Sequence, residues 1–317
     1  LSNRFGGVAT LGQVGMWHTL FDTAGEQQII AGLTFETLER LEKRAACTPF
    51  REAAPSGIRL NTEELTLILD RMVNENDNIK SFLHTQYIGV EKNDKGSLET
   101  VFAATKSGII AIKASVFIDA SGDALLCRDS GISLYQLPAI QPPTATCRLE
   151  NYHKLQNFIL RDCLAKYRDE LPDLPPSYHW GMQIPGSELR MLAGTRVLNS
   201  NCSNAEELTE AEFTSRRQIY ALLEMFRREC PDVAVSLQGL PAAIGIRDGK
   251  HIESIRQLKG DELLFGHKHP DAIGNGTYAI DIHGSSDDQI EFYRLNGEYT
   301  LYKNMQVIKR ERWLPEG

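Results

Sequence analysis

The stretch Ser115-Val116-Phe117-Ile118-Asp119-Ala120-Ser121-Gly122-Asp123 decides how the rest of the chain is read. Ser115 to Ile118 is apolar on both faces, the pattern of a fully buried strand. It closes a predicted strand over 109–118. Asp119 and Asp123 then flank Ala120, Ser121 and Gly122. In open α/β sheets ligands sit off the carboxyl ends of strands, where a glycine admits close backbone approach. The turn is therefore a candidate site. The competing reading is an ordinary strand-to-helix turn, with Asp123 capping the helix that contains Leu125 and Leu126.

Upstream, segments 79–91 and 98–105 read as strands. Asn93-Asp94-Lys95-Gly96 and Lys106-Ser107-Gly108 supply the turns of a β-meander. Asn61 is placed to cap a helix, with Glu64 reaching back to it, and Leu65, Ile68, Leu69 and Met72 share one buried stripe. A second helix is predicted over 34–45, with Leu38 and Leu41 inward, followed by a loop holding Pro49, Pro55 and Gly57. The first thirty or so residues are glycine-rich, the composition of a segment that closes around a ligand or another backbone. Downstream, Pro138, Pro142, Pro143, Pro172, Pro175 and Pro176 make 137–186 loop-rich, with one short helix between about 152 and 168. Thr209 and Glu212 form a predicted capping box for a long helix. Ile219, Leu222, Leu223 and Phe226 line its apolar face, and Cys230-Pro231 stops it.

The 317 residues can bury one large core or two modest ones. A formal net charge of -8 argues against nucleic acid as a partner, because phosphate binding wants a basic face. No apolar run approaches the ~20 residues of a membrane span, and Leu1-Ser2-Asn3-Arg4 does not read as a signal peptide. Cys47, Cys127, Cys147, Cys163, Cys202 and Cys230 form no CxxC pair, so reduced thiols in a cytoplasmic protein are expected. The histidines form no evident ligand cluster, and His267 and His269 read as solvated loop residues.

Five collinear segments carry a family resemblance. They are Arg4-Phe5-Gly6-Gly7-Val8-Ala9-Thr10, the Phe117–Asp123 turn, Gly194-Thr195-Arg196-Val197, the run from Leu208-Thr209 through Arg216-Arg217-Gln218, and Gly245-Ile246-Arg247-Asp248-Gly249-Lys250-His251. The last continues to Tyr278-Ala279-Ile280-Asp281-Ile282-His283. In this order they resemble the FAD-dependent oxidoreductases with a glutathione-reductase-type flavin fold. Ser121 stands where that family usually has threonine. Lys250 and His251 fall in a block usually written Arg-Glu-Ser-Arg-Arg. Lysine loses the two-point grip of arginine, and histidine adds a group that titrates near neutrality.

The resemblance implies an α/β architecture, α+β overall. Residues 1–135 would form an incomplete three-layer FAD-binding domain with its β-meander, and 136–317 a mixed substrate domain. It implies FAD as cofactor, a small-molecule substrate, and flavin-side roles for Gly6, Gly7, Tyr87, Ala120, Ser121, Gly122 and Asp123. Arg247 is the candidate substrate clamp, and His251 and His283 are candidate acids or bases. Arg247 could instead form a structural ion pair with Asp281 or Asp271. No G-x-G-x-x-G occurs in the sequence, and Leu314-Pro315-Glu316-Gly317 resembles the point before the family's last flavin-contacting strand. A partial chain that holds FAD weakly is expected. Two other classes stay open: a cofactor-less scaffold derived from this fold, and a metal-dependent hydrolase using Asp281 and His283. Oligomeric state is not readable.

Overall fold

A computed structural model describes residues 2–54, 57–155, 158–176 and 179–312. Leu1, Pro55 and the Leu314–Gly317 segment lie outside the described residues. The architecture is mixed α/β, with six α-helices and five sheets among the described residues, and every strand pairing in those sheets is antiparallel.

One core gathers around the two helices read from the sequence. Helix α1, Leu33–Glu42, buries Leu38 and Leu41, as its spacing predicts. Helix α2, Thr62–Asn74, starts at Asn61, whose side chain accepts the N–H groups of Glu63 and Glu64 at 3.2 and 3.4 Å. Leu65 and Ile68 pack with Leu20, Phe50 and Ile58, and Leu69 and Met72 cover the edge. Each such fully buried leucine contributes roughly 1.5–3 kcal/mol. Glu64 does not reach back to the cap; its carboxylate pairs with Arg44 on the loop after α1.

The β-meander is present. Gln86–Lys92, Leu98–Thr105 and Gly108–Lys113 pair in sequence order. Asn93 forms the first turn, its side chain accepting the N–H groups of Lys95 and Ser97. Two expectations fail here. Residues 79–85 form no strand, and neither do 114–118. Val116 and Ile118 are 75% and 85% exposed rather than buried. Apolar composition does not by itself make a strand, because each backbone N–H and C=O needs a ladder partner. The meander ends at Lys113, and no described strand pairs with the run after it. Helix α3, Leu125–Asp129, follows the Asp119–Asp123 turn.

The second core lies under helix α4, Leu160–Tyr167, and helix α5, Ala205–Glu229, which cover a four-stranded sheet. The sheet order is Ser236–Gly239, Cys147–Glu150, Arg190–Ala193, Trp180–Gln183. Ile219, Leu222, Leu223 and Phe226 face it. The long helix begins upstream of its predicted box: Asn204 caps it, accepting from Glu206 and Glu207, and Thr209 lies inside the first turns. A short helix α6, Gly260–Leu264, precedes a C-terminal meander of Ile280–His283, Ile290–Tyr293, Glu298–Lys303 and Gln306–Arg312. All six cysteines are free, with Cys147, Cys163 and Cys202 buried. No helix among the described residues is long and apolar enough to cross a membrane.

Candidate functional site

The segment Gly194–Val197 is the hub. Thr195 exchanges hydrogen bonds with the Ala145 backbone, donating at 2.9 Å and accepting at 2.7 Å. The Arg196 N–H donates to the Gln218 side chain on α5 at 2.8 Å, and Gln218 returns a bond to the Arg196 carbonyl at 3.0 Å. Arg196 itself is only 2% exposed. Its Nη2 donates to the carbonyls of Gly284 and Gln289, at 3.1 and 3.0 Å, fixing the hairpin that follows His283. Two of the sequence blocks, Gly194–Val197 and Arg216–Gln218, thus serve one buried junction.

A strap from Gln141 to Thr146 carries this junction to the candidate catalytic residues. Thr144 and Gly245 exchange backbone hydrogen bonds at 3.0 and 2.8 Å. Glu212 on α5 accepts the Ile244 N–H at 2.8 Å, which sets the start of the Arg247 block. Arg247 Nη1 donates to the Pro142 carbonyl at 2.8 Å and to the Thr144 hydroxyl at 2.6 Å. On the other side of the strap, Gln141 Oε1 accepts the His283 N–H at 2.9 Å, while the Gln141 N–H donates to Asp248 at 3.4 Å. Asp248 also holds the His251 ring nitrogen Nε2 at 2.9 Å. The structure therefore brings Arg247, His251 and His283 to one strap, with Arg247 exposed and His283 buried.

The glycine-rich N-terminal segment joins this group. Gly6 precedes a short 3-10 turn, Gly7–Ala9. The Val8 side chain is 3.8 Å from where a Cβ on Gly245 would stand. The Leu11 carbonyl accepts from Ala242 at 2.8 Å, and the Gly12 carbonyl from the Thr146 hydroxyl at 2.8 Å.

Burial holds the His283 imidazole below its ordinary pKa, and Arg247 and Arg196 push the same way. Asp281, 3.3 Å from His283 Nε2, opposes them. His18 is also held low by burial, against the pull of Asp281. Its ring stacks on Tyr278 with centroids 3.6 Å apart, and the Tyr278 hydroxyl reaches Asp281 at 3.3 Å. This stack stands between two open clefts. One, of about 340 Å³, is lined by Thr19, Asp22, Ala279 and Arg294; the other, of about 540 Å³, by Trp17, Leu20 and Ile30. Asp281 and His283 belong to no three-residue metal-ligand group among the described residues.

The remaining predicted residues form a separate, exposed group. Asp119 Oδ1 accepts the Ser121 N–H and hydroxyl at 3.0 and 2.6 Å, and Oδ2 accepts the Cys127 N–H at 3.0 Å. Partial burial works against its charge, but these bonds win and hold its carboxyl at about 2. Ser121 Oγ accepts the N–H groups of Asp123 and Leu125. Asp119 and Ser121 thus brace the start of α3, and Asp123 does not cap it, contrary to the helix-cap reading. Gly122 and Ala124 both take positive φ, 80° and 54°. Tyr87 sits beneath this turn, its hydroxyl donating to Asp129 at 2.7 Å, so burial and that carboxylate raise its pKa. A few residues after α3, Leu134–Gln136 pairs with Lys250–Ile252 and stacks Tyr135 on His251.

Sequence reasoning missed Gln141, Thr144 and His18 as parts of this region, and it quoted Asp248 and Tyr278 within the family segments without giving them a role. Only Pro142-Pro143 hinted that the strap is rigid, and nothing local announces that its carbonyl faces a guanidinium.

The chain belongs to the FAD-dependent oxidoreductase family, whose sequence model matches residues 2–306. The cofactor of that family is FAD. No curated protein sequence matches this chain. Several solved structures resemble it at low identity. The p-nitrophenol 4-monooxygenase PnpA from Pseudomonas putida DLL-E4 is 13% identical, with 69% of this chain and 49% of that one covered and a TM-score of 0.40. Aklavinone-11 hydroxylase, solved with FAD and aklavinone, is 14% identical over 79% of this chain and 45% of its own, with a TM-score of 0.37. The flavin-dependent monooxygenase PieE, solved with FAD and substrate, is 16% identical over 79% and 42%, with a TM-score of 0.38. The chain thus spans less than half the length of each of these structures.

Of the glycines expected on the flavin side, Gly7 and Gly122 have positive φ and nothing within 4 Å of where a side chain would begin, whereas a Cβ on Gly6 would meet Thr10 and Leu69. A strand–turn–helix with G-x-G-x-x-G, the usual cradle of the pyrophosphate, is not present in the sequence.

Proposed function

We propose that the complete protein is an FAD-dependent oxidoreductase acting on a small organic molecule, with residues 1–135 on the flavin side and 136–317 on the substrate side. The observation that carries this reading is the convergence of the Val8–Gly12 segment, Arg247 and His283 on and around one strap. When bound, FAD supplies the acceptor or donor of a hydride. Gly6, Gly7, Tyr87 and the Ala120–Asp123 turn are the residues proposed to hold it.

Arg247 then keeps a positive charge at a fixed place, because Pro142 and Thr144 anchor its tip. A substrate carboxylate, or negative charge that develops during reaction, is stabilised there. His283 is neutral at pH 7, since burial and two neighbouring guanidinium groups disfavour its cation. Asp281, 3.3 Å from Nε2, draws a proton toward that nitrogen, which makes His283 a candidate acid or base. His251, held by Asp248, is a second acid–base candidate nearer the surface. The His18–Tyr278 clefts are the proposed entry for substrate.

This 317-residue polypeptide by itself is expected to hold FAD weakly, because it lacks the glycine fingerprint that sets the pyrophosphate on a helix N-terminus. Two absorption measurements test the reading. The full-length protein should purify with a flavin spectrum that substrate bleaches under anaerobic conditions, and a colourless full-length protein that ignores added FAD would leave a scaffold role instead. The chain alone should remain substoichiometric in FAD; a one-to-one yellow complex overturns that part.

A further inference from the structure

The segment from His251 to Ile282 buries no residue. Ile255 and Ile273 are fully exposed, and helix α6 is only five residues long. Burial of apolar surface therefore does not hold this stretch. At its centre, Glu262 of α6 and His267 and His269 of the following loop place one carboxylate oxygen and two ring nitrogens all within 4.8 Å of one another. The two imidazole rings lie 4.8 Å apart, tilted by 52°. His269 Nε2 is buried and has no hydrogen-bond partner. A desolvated imidazole nitrogen without a partner is costly, and it wants either a donor or a metal ion.

We infer that Glu262, His267 and His269 form a site for a borderline divalent cation of the zinc type. Two neutral imidazoles and one carboxylate are a His₂Glu set, which suits Zn²⁺ and leaves a fourth position for water. Tetrahedral bonds of about 2.0–2.2 Å put donor atoms roughly 3.4 Å apart. The loop must then draw in by about an ångström, which an exposed loop without core contacts allows. The backbone is already turned for it: the His267 N–H donates to the Glu262 carbonyl at 2.8 Å, and Ala272 folds back onto the His269 carbonyl.

Two contacts compete for the carboxylate. Arg256 Nη2 stands 2.5 Å from Glu262 Oε1, and the Lys259 N–H donates to Oε2 at 2.9 Å. The Arg256 side chain is 55% exposed and the Glu262 side chain 18%, so the cation must displace an ion pair whose arginine end is open to solvent, where such pairs are weak. Oε2 accepts one backbone N–H and keeps a second lone pair. The ion acts as a cross-link where the fold supplies none: it ties α6 to its loop and orders the stretch that leads into Tyr278 and Asp281. Binding free energy then appears as local order.

Calorimetric titration of the 317-residue chain with Zn²⁺, followed by limited proteolysis with and without the ion, tests the site. One ion per chain is expected, with cleavage between 253 and 279 slowed. His267→Ala and His269→Ala should each weaken binding by about tenfold or more; Glu262→Gln, which keeps an acceptor for the Lys259 N–H, should also weaken it. His84→Ala, at an exposed histidine outside the cluster, should not. Substituting Co²⁺ distinguishes a nitrogen–oxygen site from a thiolate one by its absorption. Unsaturable binding, binding unchanged in both histidine variants, or a thiolate spectrum overturns the inference.

Discussion

The junction around Arg196 and His283 and the turn Asp119–Asp123 both stand out as motifs, yet they are built on different terms. The junction is held by the strap, α5, the Gly245 segment and the C-terminal hairpin. Its polar atoms are buried, so each hydrogen bond is made away from water and losing one leaves a stranded partner. The turn is held by its own residues, Asp119 and Ser121 gripping N–H groups at most eight positions away. It is exposed, and its backbone is bent through positive φ at Gly122 and Ala124. A centre supported from many sides fixes geometry for chemistry. A turn supported only locally is suited to contact something laid over it.

On that difference, Arg196→Met should be the most damaging single change, costing about 3 kcal/mol in urea unfolding, because the Gly284 and Gln289 carbonyls lose their donor. A cost below about 1 kcal/mol would place the junction on the same footing as the turn. The next effect is pH-dependent. His18 and His283 are both held below the ordinary value of 6.5 in the folded chain. Above pH 6.5 both states are neutral there. As pH falls below it the unfolded chain takes protons first, so stability is lost, by at most about 1.4 kcal/mol per pH unit for each histidine. Denaturation curves at pH 7 and 5.5 should show this fall, and His283→Gln should remove its share.

A smaller cost, about 1 kcal/mol or less, is expected for Ser121→Ala, which strips two acceptor contacts from the start of α3. The same variant should raise the Asp119 pKa from about 2, since the hydroxyl leads the bonds that hold it low; carboxyl NMR titration reads this directly. Asp119 is depressed, so its contribution is present above the usual carboxylate range and disappears as pH falls toward 2. The smallest change of all should be Val116→Lys, within about 0.5 kcal/mol, because the side chain is 75% exposed. A loss several times larger would show that Ser115–Ile118 is buried after all.

Local features were legible. The Asn61 cap, the Leu38–Leu41 face of α1, the Asn93 turn and the stripe on α5 follow from periods and short-range hydrogen bonds. Their causes lie within a few residues of each other. The start of α5 was misplaced because Thr209 and Glu212 imitate a capping box. Asn204, with the same chemistry, sits nearer the true end, and Glu212 was spent on Ile244. The candidate catalytic trio was named from family pattern, but its arrangement was not readable. Arg247 and His283 meet across Gln141–Thr144, a contact more than a hundred positions distant in sequence.

By itself the sequence determined α1, α2, the body of α5, the central strands of the first meander, the absence of a glycine fingerprint and the family. These depend on local spacing or on the order of motifs. Only the tertiary structure decided that Arg196 is a buried tie and that Asp119 and Ser121, rather than Asp123, brace α3. It also decided that Val116 and Ile118 face outward. Each of those outcomes depends on which distant backbone groups are present to pair. An apolar run states a preference for burial, but burial requires a neighbour, and the fold alone supplies or withholds one.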